Sequence, residues 1–210
     1  CDFIKAGSDV ITLSSYSVTP TRLAKYNREN EFKFLQKVAV EAAQKAAQTF
    51  NTKPLIAGCL PPLPGSYRPS ERLTEQESYA EYQRITECQF QHVDLFICET
   101  MSSVEEACIS TTVAKQTGLP VWTSFTVDED NGEFLRSGES ILEGAKAVLA
   151  KGASAILINC SPPESITQAV EKLVALGVEI GAMANGFVTT EPLKGNTTVD
   201  VLESRLELTP

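Results

Sequence analysis

Two residues of this sequence stand where chemistry is most often placed, at the end of an apolar run. Cys160 follows Ala155-Ile156-Leu157-Ile158-Asn159. Four apolar residues in a row read as a strand buried on both faces, as in a parallel sheet. Ser161-Pro162-Pro163-Glu164 then opens a helix, since a serine before proline with an acid in the first turn makes a favourable N-terminus. Cys160 therefore falls at the carboxyl end of a buried strand, where α/β proteins keep their reactive groups. A thiol there is either a small core filler or a metal ligand. Glu99 follows Leu95-Phe96-Ile97-Cys98 in the same way. A carboxylate at that point caps the next helix or binds a cation, and Ser102 and Ser103 already supply caps.

The rest of the composition narrows the chemistry. A single histidine, His92, nearly excludes Ser-His-Asp catalysis and multi-histidine metal sites, and its place at a helix end reads as surface. No lysine or histidine falls at any predicted strand end, so Schiff-base and imidazole acid/base mechanisms have no candidate. What remains at those ends is a thiol, a carboxylate and neutral hydrogen-bonding groups such as Ser124 and Asn159. Such an inventory suits a soft metal and a zwitterionic substrate. A net charge of −9 without basic clusters argues against nucleic acid, and no apolar run reaches the roughly 18 residues of a membrane helix. The six cysteines lack CxxC pairing and read as reduced thiols of a cytoplasmic protein. Oligomeric state leaves no mark on the sequence.

The elements that position these groups repeat one pattern, a helix, a small turn, then a short apolar strand. Strands are expected at Val10–Leu13, Pro54–Gly58, Leu95–Cys98, Val121–Ser124, Ala155–Ile158 and Ile180–Met183. Helices are expected at Phe32–Thr49, Thr74–Gln91, Ser103–Gln116, Ser140–Ala150 and Pro163–Leu176, the first with Phe34, Val38, Ala42 and Ala46 along its apolar face. Alternation of this kind means βαβ units and an α/β fold with a parallel sheet. Units of about 30 residues, without a Gly-x-Gly-x-x-Gly after the first strand, favour a (β/α)8 TIM-type barrel over a dinucleotide-binding sheet. The chain opens within a helix (Cys1–Lys5) and stops at Leu208-Thr209-Pro210. It thus reads as one barrel domain over residues 1–210, lacking the first and last β/α units. Cys98 should face the helices, while Cys88 and Cys108 pack within helices. Cys59 begins a Pro-rich loop to Ser70 whose Tyr67 and Arg68 make it a candidate lid. Thr126–Gly132 lacks the ligand spacing of a calcium loop and reads as a solvated turn.

The sequence resembles the homocysteine S-methyltransferase family along nearly its whole length. The resemblance is carried by Ala6-Gly7-Ser8-Asp9-Val10-Ile11-Thr12 with Ser15-Tyr16, and by Gly58 with Gly65-Ser66-Tyr67. Glu99-Thr100-Met101 with Glu105-Glu106-Ala107, Val121–Thr126 with Leu135–Glu139, Asn159-Cys160-Ser161-Pro162-Pro163 and Ala184-Asn185-Gly186 continue it in order. It implies a (β/α)8 barrel holding one zinc ion (Zn2+) through three cysteines, with the thiol of homocysteine as fourth ligand. Carried over, Cys160 is the first zinc ligand and Glu99 contacts the homocysteine amino group, with Ser124 and Asn159 as substrate-binding neighbours. The implied reaction moves a methyl group from a small donor to that thiol, giving methionine. The donor is a sulfonium such as S-methylmethionine or S-adenosylmethionine, betaine or methylfolate. The family's adjacent Cys-Cys pair and its first-strand Asp-Gly-Gly have no counterpart, so two further cysteine ligands are expected beyond Pro210. The alternative is a non-catalytic barrel module that has lost zinc and binds a small amino acid or a partner protein.

Overall fold

The computed structural model describes residues 1–186. Six strands form one parallel sheet in sequence order: β1 (Val10–Thr12), β2 (Leu55–Leu60), β3 (Leu95–Met101), β4 (Val121–Phe125), β5 (Ala155–Asn159) and β6 (Glu179–Met183). α1 (Asp2–Lys5) precedes β1, and between the strands run α2 (Pro20–Ala24), α3 (Phe32–Gln48), α4 (Glu75–Gln89), α5 (Val104–Lys115), α6 (Ile141–Ala150) and α7 (Pro163–Leu173). Unbroken parallel order with a helix between every pair of neighbours is the half-barrel of a partial TIM-type fold.

The sheet buries its two faces differently. Towards the helices, Leu60, Phe96, Phe125, Ile156 and Ile158 pack with Tyr82, Ile85, Ile141, Val148 and Leu173 in one core. On the other face Ala57, Leu95 and Ile97 form a smaller cluster with Val10, Trp122 and Leu157. Strand alternation sorts the side chains: Phe96 and Cys98 point to the helices, Leu95, Ile97 and Glu99 inward. Gly58 is required by this packing, because a Cβ there would lie 2.5 Å from the Phe96 ring.

Four local expectations are corrected. The buried face of α3 is Phe32, Gln36, Ala39, Val40 and Ala43, while Phe34 and Val38 are exposed. Both lines of residues have helical spacing. The one chosen carries a glutamine, which donates to the Val18 carbonyl at 2.8 Å and accepts from Gln89 at 2.8 Å. β2 runs two residues past Gly58, so Cys59 is a fully buried strand residue rather than the start of a loop. β3 likewise continues through Glu99 to Met101. Ser161 does not cap α7, whose N-cap is Pro162; its hydroxyl instead meets the Val127 N–H at 3.0 Å. Of the two serines expected to cap α5, Ser103 does so by accepting the Glu106 N–H, whereas the buried Ser102 hydroxyl has no partner among the described residues; α4 has in addition a reciprocal Thr74–Glu77 box. In the turn after β4, the Asp128 carboxylate accepts the N–H groups of Asp130 and Asn131. His92 is exposed at the end of a 3-10 turn, and Cys98 is buried against Thr111.

Candidate functional site

Glu99 owes its position to a fault in the sheet. β3 pairs Cys98 with Thr123 and then Met101 with Phe125, three steps on one strand against two on its neighbour. The extra residue is a bulge, a device that re-aims side chains beside sites. Thr100 takes it up with φ of +58°, an outlier for a β-branched residue. The bulge lets Glu99 keep facing inward while Met101 turns into the helical core.

Cys160 is turned by similar means. Its φ of +53° takes the backbone out of the strand alternation and directs the thiol into the same cleft as Asn159 and Glu99. The turn is held at both polar atoms: the Cys160 N–H donates to the Met183 carbonyl (3.2 Å), and its carbonyl accepts from Thr126 Oγ1 (3.2 Å). A relay of polar groups reaches the thiol across three strands. Ser124 Oγ donates to Asn159 Oδ1 at 2.9 Å, Asn159 Nδ2 to Thr100 Oγ1 at 3.0 Å, and Thr100 Oγ1 to Cys160 Sγ at 3.9 Å. Burial pushes the Cys160 thiol above its ordinary range, against the pull of hydrogen bonds from Tyr67 and Thr100.

Tyr67, on the loop between β2 and α4, lies over this thiol within hydrogen-bonding reach. Its φ is +60°, and the Arg136 guanidinium sits 4.5 Å from its ring centroid while donating to Thr126 Oγ1 at 2.9 Å. Burial pushes its phenol well above the ordinary tyrosine range, so it stays a neutral donor. Arg68 lines the cleft further out, paired with Glu71 at 2.9 Å. Three non-glycine residues in left-handed conformation thus converge on one cleft. Each costs roughly 1 to 3 kcal/mol, and such strain collects where function requires it.

Glu99 is the most perturbed acid near the thiol. Burial raises its carboxyl from 4.5 to about 7, opposed only by the Cys59 thiol donating to it. No lysine or arginine stands within ion-pair distance of it among the described residues. Cys59 is held by an interaction that the sequence did not suggest. Once β1 leaves the sheet, the Gln89 side-chain amide takes its place: Oε1 accepts the Cys59 N–H (2.9 Å) and Nε2 donates to the Cys59 carbonyl (3.3 Å). Gln89 was not singled out in the sequence, and Thr100 and Arg136 stood only within segments that carry the family resemblance, without these roles. A glutamine near a helix end, a threonine in a strand and an arginine in a loop carry no local signal of these roles.

The cleft measures about 930 Å³ and joins Tyr16, Tyr67, Glu99, Thr100, Asn159 and Cys160. It lies at the carboxyl ends of the strands, and Ser124 is buried just beneath it. A curled parallel β/α sheet with polar groups gathered there places the chain among proteins built on TIM-type barrels. More particularly, the chain belongs to the homocysteine S-methyltransferase family, whose model matches residues 1–207.

Solved structures agree on the fold. The metallated form of the homocysteine methyltransferase MmuM from Escherichia coli superposes with a TM-score of 0.73 at 21% identity, over 87% of this chain and 77% of that one. Its oxidised form gives 0.73 at 20% identity and its apo form 0.65 at 19%, with the same coverage. No curated protein sequence matched the chain.

The zinc that the family resemblance implies needs at least three protein ligands. Among the described residues no three histidine, cysteine or acidic side chains gather where a metal ion would sit. Cys160 is the thiol at the rim, and Cys59 lies below it bonded to Glu99. The described residues alone do not make a zinc centre. No helix among them is long and apolar enough to cross a membrane.

Proposed function

We propose that this chain binds homocysteine for methyl transfer from a small donor, giving methionine. The observation that carries the reading is Glu99, a desolvated carboxyl without a cationic partner, set in the same cleft as Cys160. An amino acid's ammonium group supplies the charge that such a carboxylate lacks, as a charge-assisted hydrogen bond. Asn159 spends one of its two amide N–H groups on Thr100 and keeps the other for the substrate. Ser124, buried beneath Asn159, acts through it by fixing the amide's orientation. Tyr67, with Arg68 beyond it, forms the lid that covers the thiol position.

The reaction is a displacement at the methyl carbon. The homocysteine sulfur forms the new C–S bond, the bond from methyl to donor breaks, and its electron pair leaves with the donor. Zinc, when bound, supplies a deprotonated substrate thiol at neutral pH. Cys160 is the residue here that would hold it, together with ligands from outside the described residues. The (β/α)8 barrel is taken as one domain to which residues 1–210 contribute. A second reading, a module binding an amino acid without catalysis, draws on the incomplete metal set.

Titration calorimetry with homocysteine tests the common part of both readings. Glu99→Gln should weaken binding by roughly tenfold or more, as loss of a charge-assisted bond requires. Absence of homocysteine binding would remove the methyl-transfer reading and leave the module only with a different ligand. Assays with S-methylmethionine, S-adenosylmethionine, betaine and methyltetrahydrofolate then separate them, because only the enzyme turns one over.

A further inference from the structure

A buried guanidinium stands between the lid and the turn that aims the thiol. Arg136 belongs to the connection from β4 to α6, and its side chain is 12% exposed. That connection is a folded arm rather than a slack loop. Val127 bridges Leu135 and Phe134 bridges Ser140 in antiparallel fashion, and Val127 and Leu135 are buried. The Ser137 N–H donates to the Ser102 carbonyl at 3.1 Å, which ties the arm to the end of β3. Farther along, Gly132 lies so close to α7 that a Cβ would stand 1.8 Å from the Ser165 carbonyl oxygen. Arg136 therefore projects from a support that other elements hold.

Its guanidinium joins two walls of the cleft. Nε donates to Thr126 Oγ1 at 2.9 Å, one terminal nitrogen reaches Glu129 at 3.4 Å, and the central carbon lies 4.5 Å from the Tyr67 ring centroid. Thr126 is the residue that bonds the Cys160 carbonyl, at 3.2 Å. A hydroxyl accepts from the guanidinium and donates to the carbonyl at once, so one side chain reaches both the lid ring and the thiol turn.

The lid needs such a hold. Tyr67 sits at φ of +60°, a conformation that its bulk disfavours. The bonds on the first half of its loop stop short of its ring: Arg22 donates to the Pro62 and Leu63 carbonyls, and Ser66 Oγ meets the Tyr16 hydroxyl at 2.7 Å. Arg68, which follows it, pairs with Glu71 inside the same loop and so ties the loop to itself. The Tyr67 ring is engaged by Arg136, and its hydroxyl by the Cys160 thiol. A guanidinium over an aromatic ring gains strength as water is excluded, which burial of Arg136 provides.

We infer that Arg136 is a positioning residue for methyl transfer, holding the Tyr67 ring and, through Thr126, the turn at Cys160 in one fixed arrangement. The inference rests on the methyl-transfer reading and adds to it the residue that keeps the lid in register with the thiol position. Displacement at carbon needs sulfur, methyl and leaving atom in line, and a misplacement of about 1 Å can cost on the order of a hundredfold. Such a residue is felt in kcat more than in the binding of homocysteine at Glu99.

Hydrogen–deuterium exchange of the whole protein reads the hold, and steady-state kinetics with whichever of the four donors turns over reads its use. Arg136→Met should speed exchange in peptides from residues 61–74, the loop between β2 and α4, by roughly tenfold or more. It should lower kcat by roughly ten- to a hundredfold, with homocysteine affinity within about twofold of wild type. Arg136→Lys keeps a charge beside Glu129 but neither the planar group nor the Nε donor, and should behave like Arg136→Met. Tyr67→Phe keeps the ring and should leave exchange of the loop as in wild type. In a Tyr67→Ala background, Arg136→Met should lower kcat much less than it does alone, because the ring it acts on is gone. Should Arg136→Met fail to fold, Arg136→Lys decides. The inference is overturned if loop exchange is unchanged in the Arg136 variants, if Arg136→Lys restores both exchange and kcat, or if homocysteine affinity falls in place of kcat. Turnover with none of the four donors defeats the methyl-transfer reading instead, and exchange, which needs no substrate, still decides whether Arg136 holds the lid.

Discussion

Replacing Glu99 by glutamine should make the protein more stable and less able to bind its substrate, with the gain in stability tied to pH. In the folded chain burial raises the carboxyl from 4.5 to about 7. The native state therefore holds a proton that the unfolded chain has released, and stability falls as pH rises through this interval. At about 1.36 kcal/mol per pH unit, a carboxyl moved from 4.5 to about 7 destabilises the native state by about 3 kcal/mol above pH 7. Contact with solvent in the cleft makes that an upper figure. Below about pH 4.5 the protonated carboxyl resembles the amide and the penalty vanishes. Urea unfolding of metal-free wild type and Glu99→Gln at pH 5, 6, 7 and 8 measures the difference. The variant's advantage should be small at pH 5 and grow to about 2 to 3 kcal/mol at pH 8. Homocysteine, which requires the ionised carboxylate, should lose affinity in the wild type by up to about tenfold per unit below pH 7. In the variant it should bind weakly at every pH. A stability difference that does not change with pH would refute the reasoning, because a lost hydrogen bond or a repacked side chain has no such dependence.

Two further outcomes follow from the rim and the sheet. In zinc-loaded protein, Cys160→Ser should take bound zinc below one equivalent and abolish methyl transfer while leaving the far-ultraviolet circular dichroism unchanged; full metal content with turnover would remove Cys160 from the site. Gly58→Ala places a methyl group 2.5 Å from the Phe96 ring and 2.8 Å from Gln89 Oε1. Overpacking of this kind costs roughly 1 to 3 kcal/mol, measurable as a lowered urea midpoint, and an unchanged midpoint would mean that the ring and the Gln89 amide move aside freely.

The strand order and the helix positions were legible because each strand contains a short apolar run that begins just after a small turn. Strand ends were less so. β2 and β3 continue through Cys59-Leu60 and Glu99-Thr100-Met101, where residue character no longer distinguishes strand from loop. What carries β2 onward is pairing with β3 on one side and the Gln89 amide on the other, and neither partner is near in sequence. The choice of face on α3 failed for a related reason. Phe34-Val38-Ala42-Ala46 is the more apolar line, yet Gln36 goes inside because Gln89 and the Val18 carbonyl satisfy its amide. A buried polar residue is invisible to hydrophobic periodicity, since its partners determine whether burial is tolerated.

The same distinction runs through the candidate site. Cys160 and Glu99 could be picked out because each closes an apolar run, and Tyr67 because its loop is too long for a simple connection. Their orientation could not be, because it depends on backbone conformations that the residue types disfavour. Thr100 at φ of +58° and Cys160 at +53° run against their own preferences. Each is held by bonds from other elements: Asn159 to the Thr100 hydroxyl, and Thr126 and Met183 to the Cys160 backbone. Local sequence reasoning assumes that each residue follows its propensity, and it fails where long-range contacts override that propensity. Here those failures fall on the two residues that direct a carboxyl and a thiol into one cleft. The strain they store is therefore itself an argument that the cleft, rather than the sheet around it, is what the fold is arranged to hold.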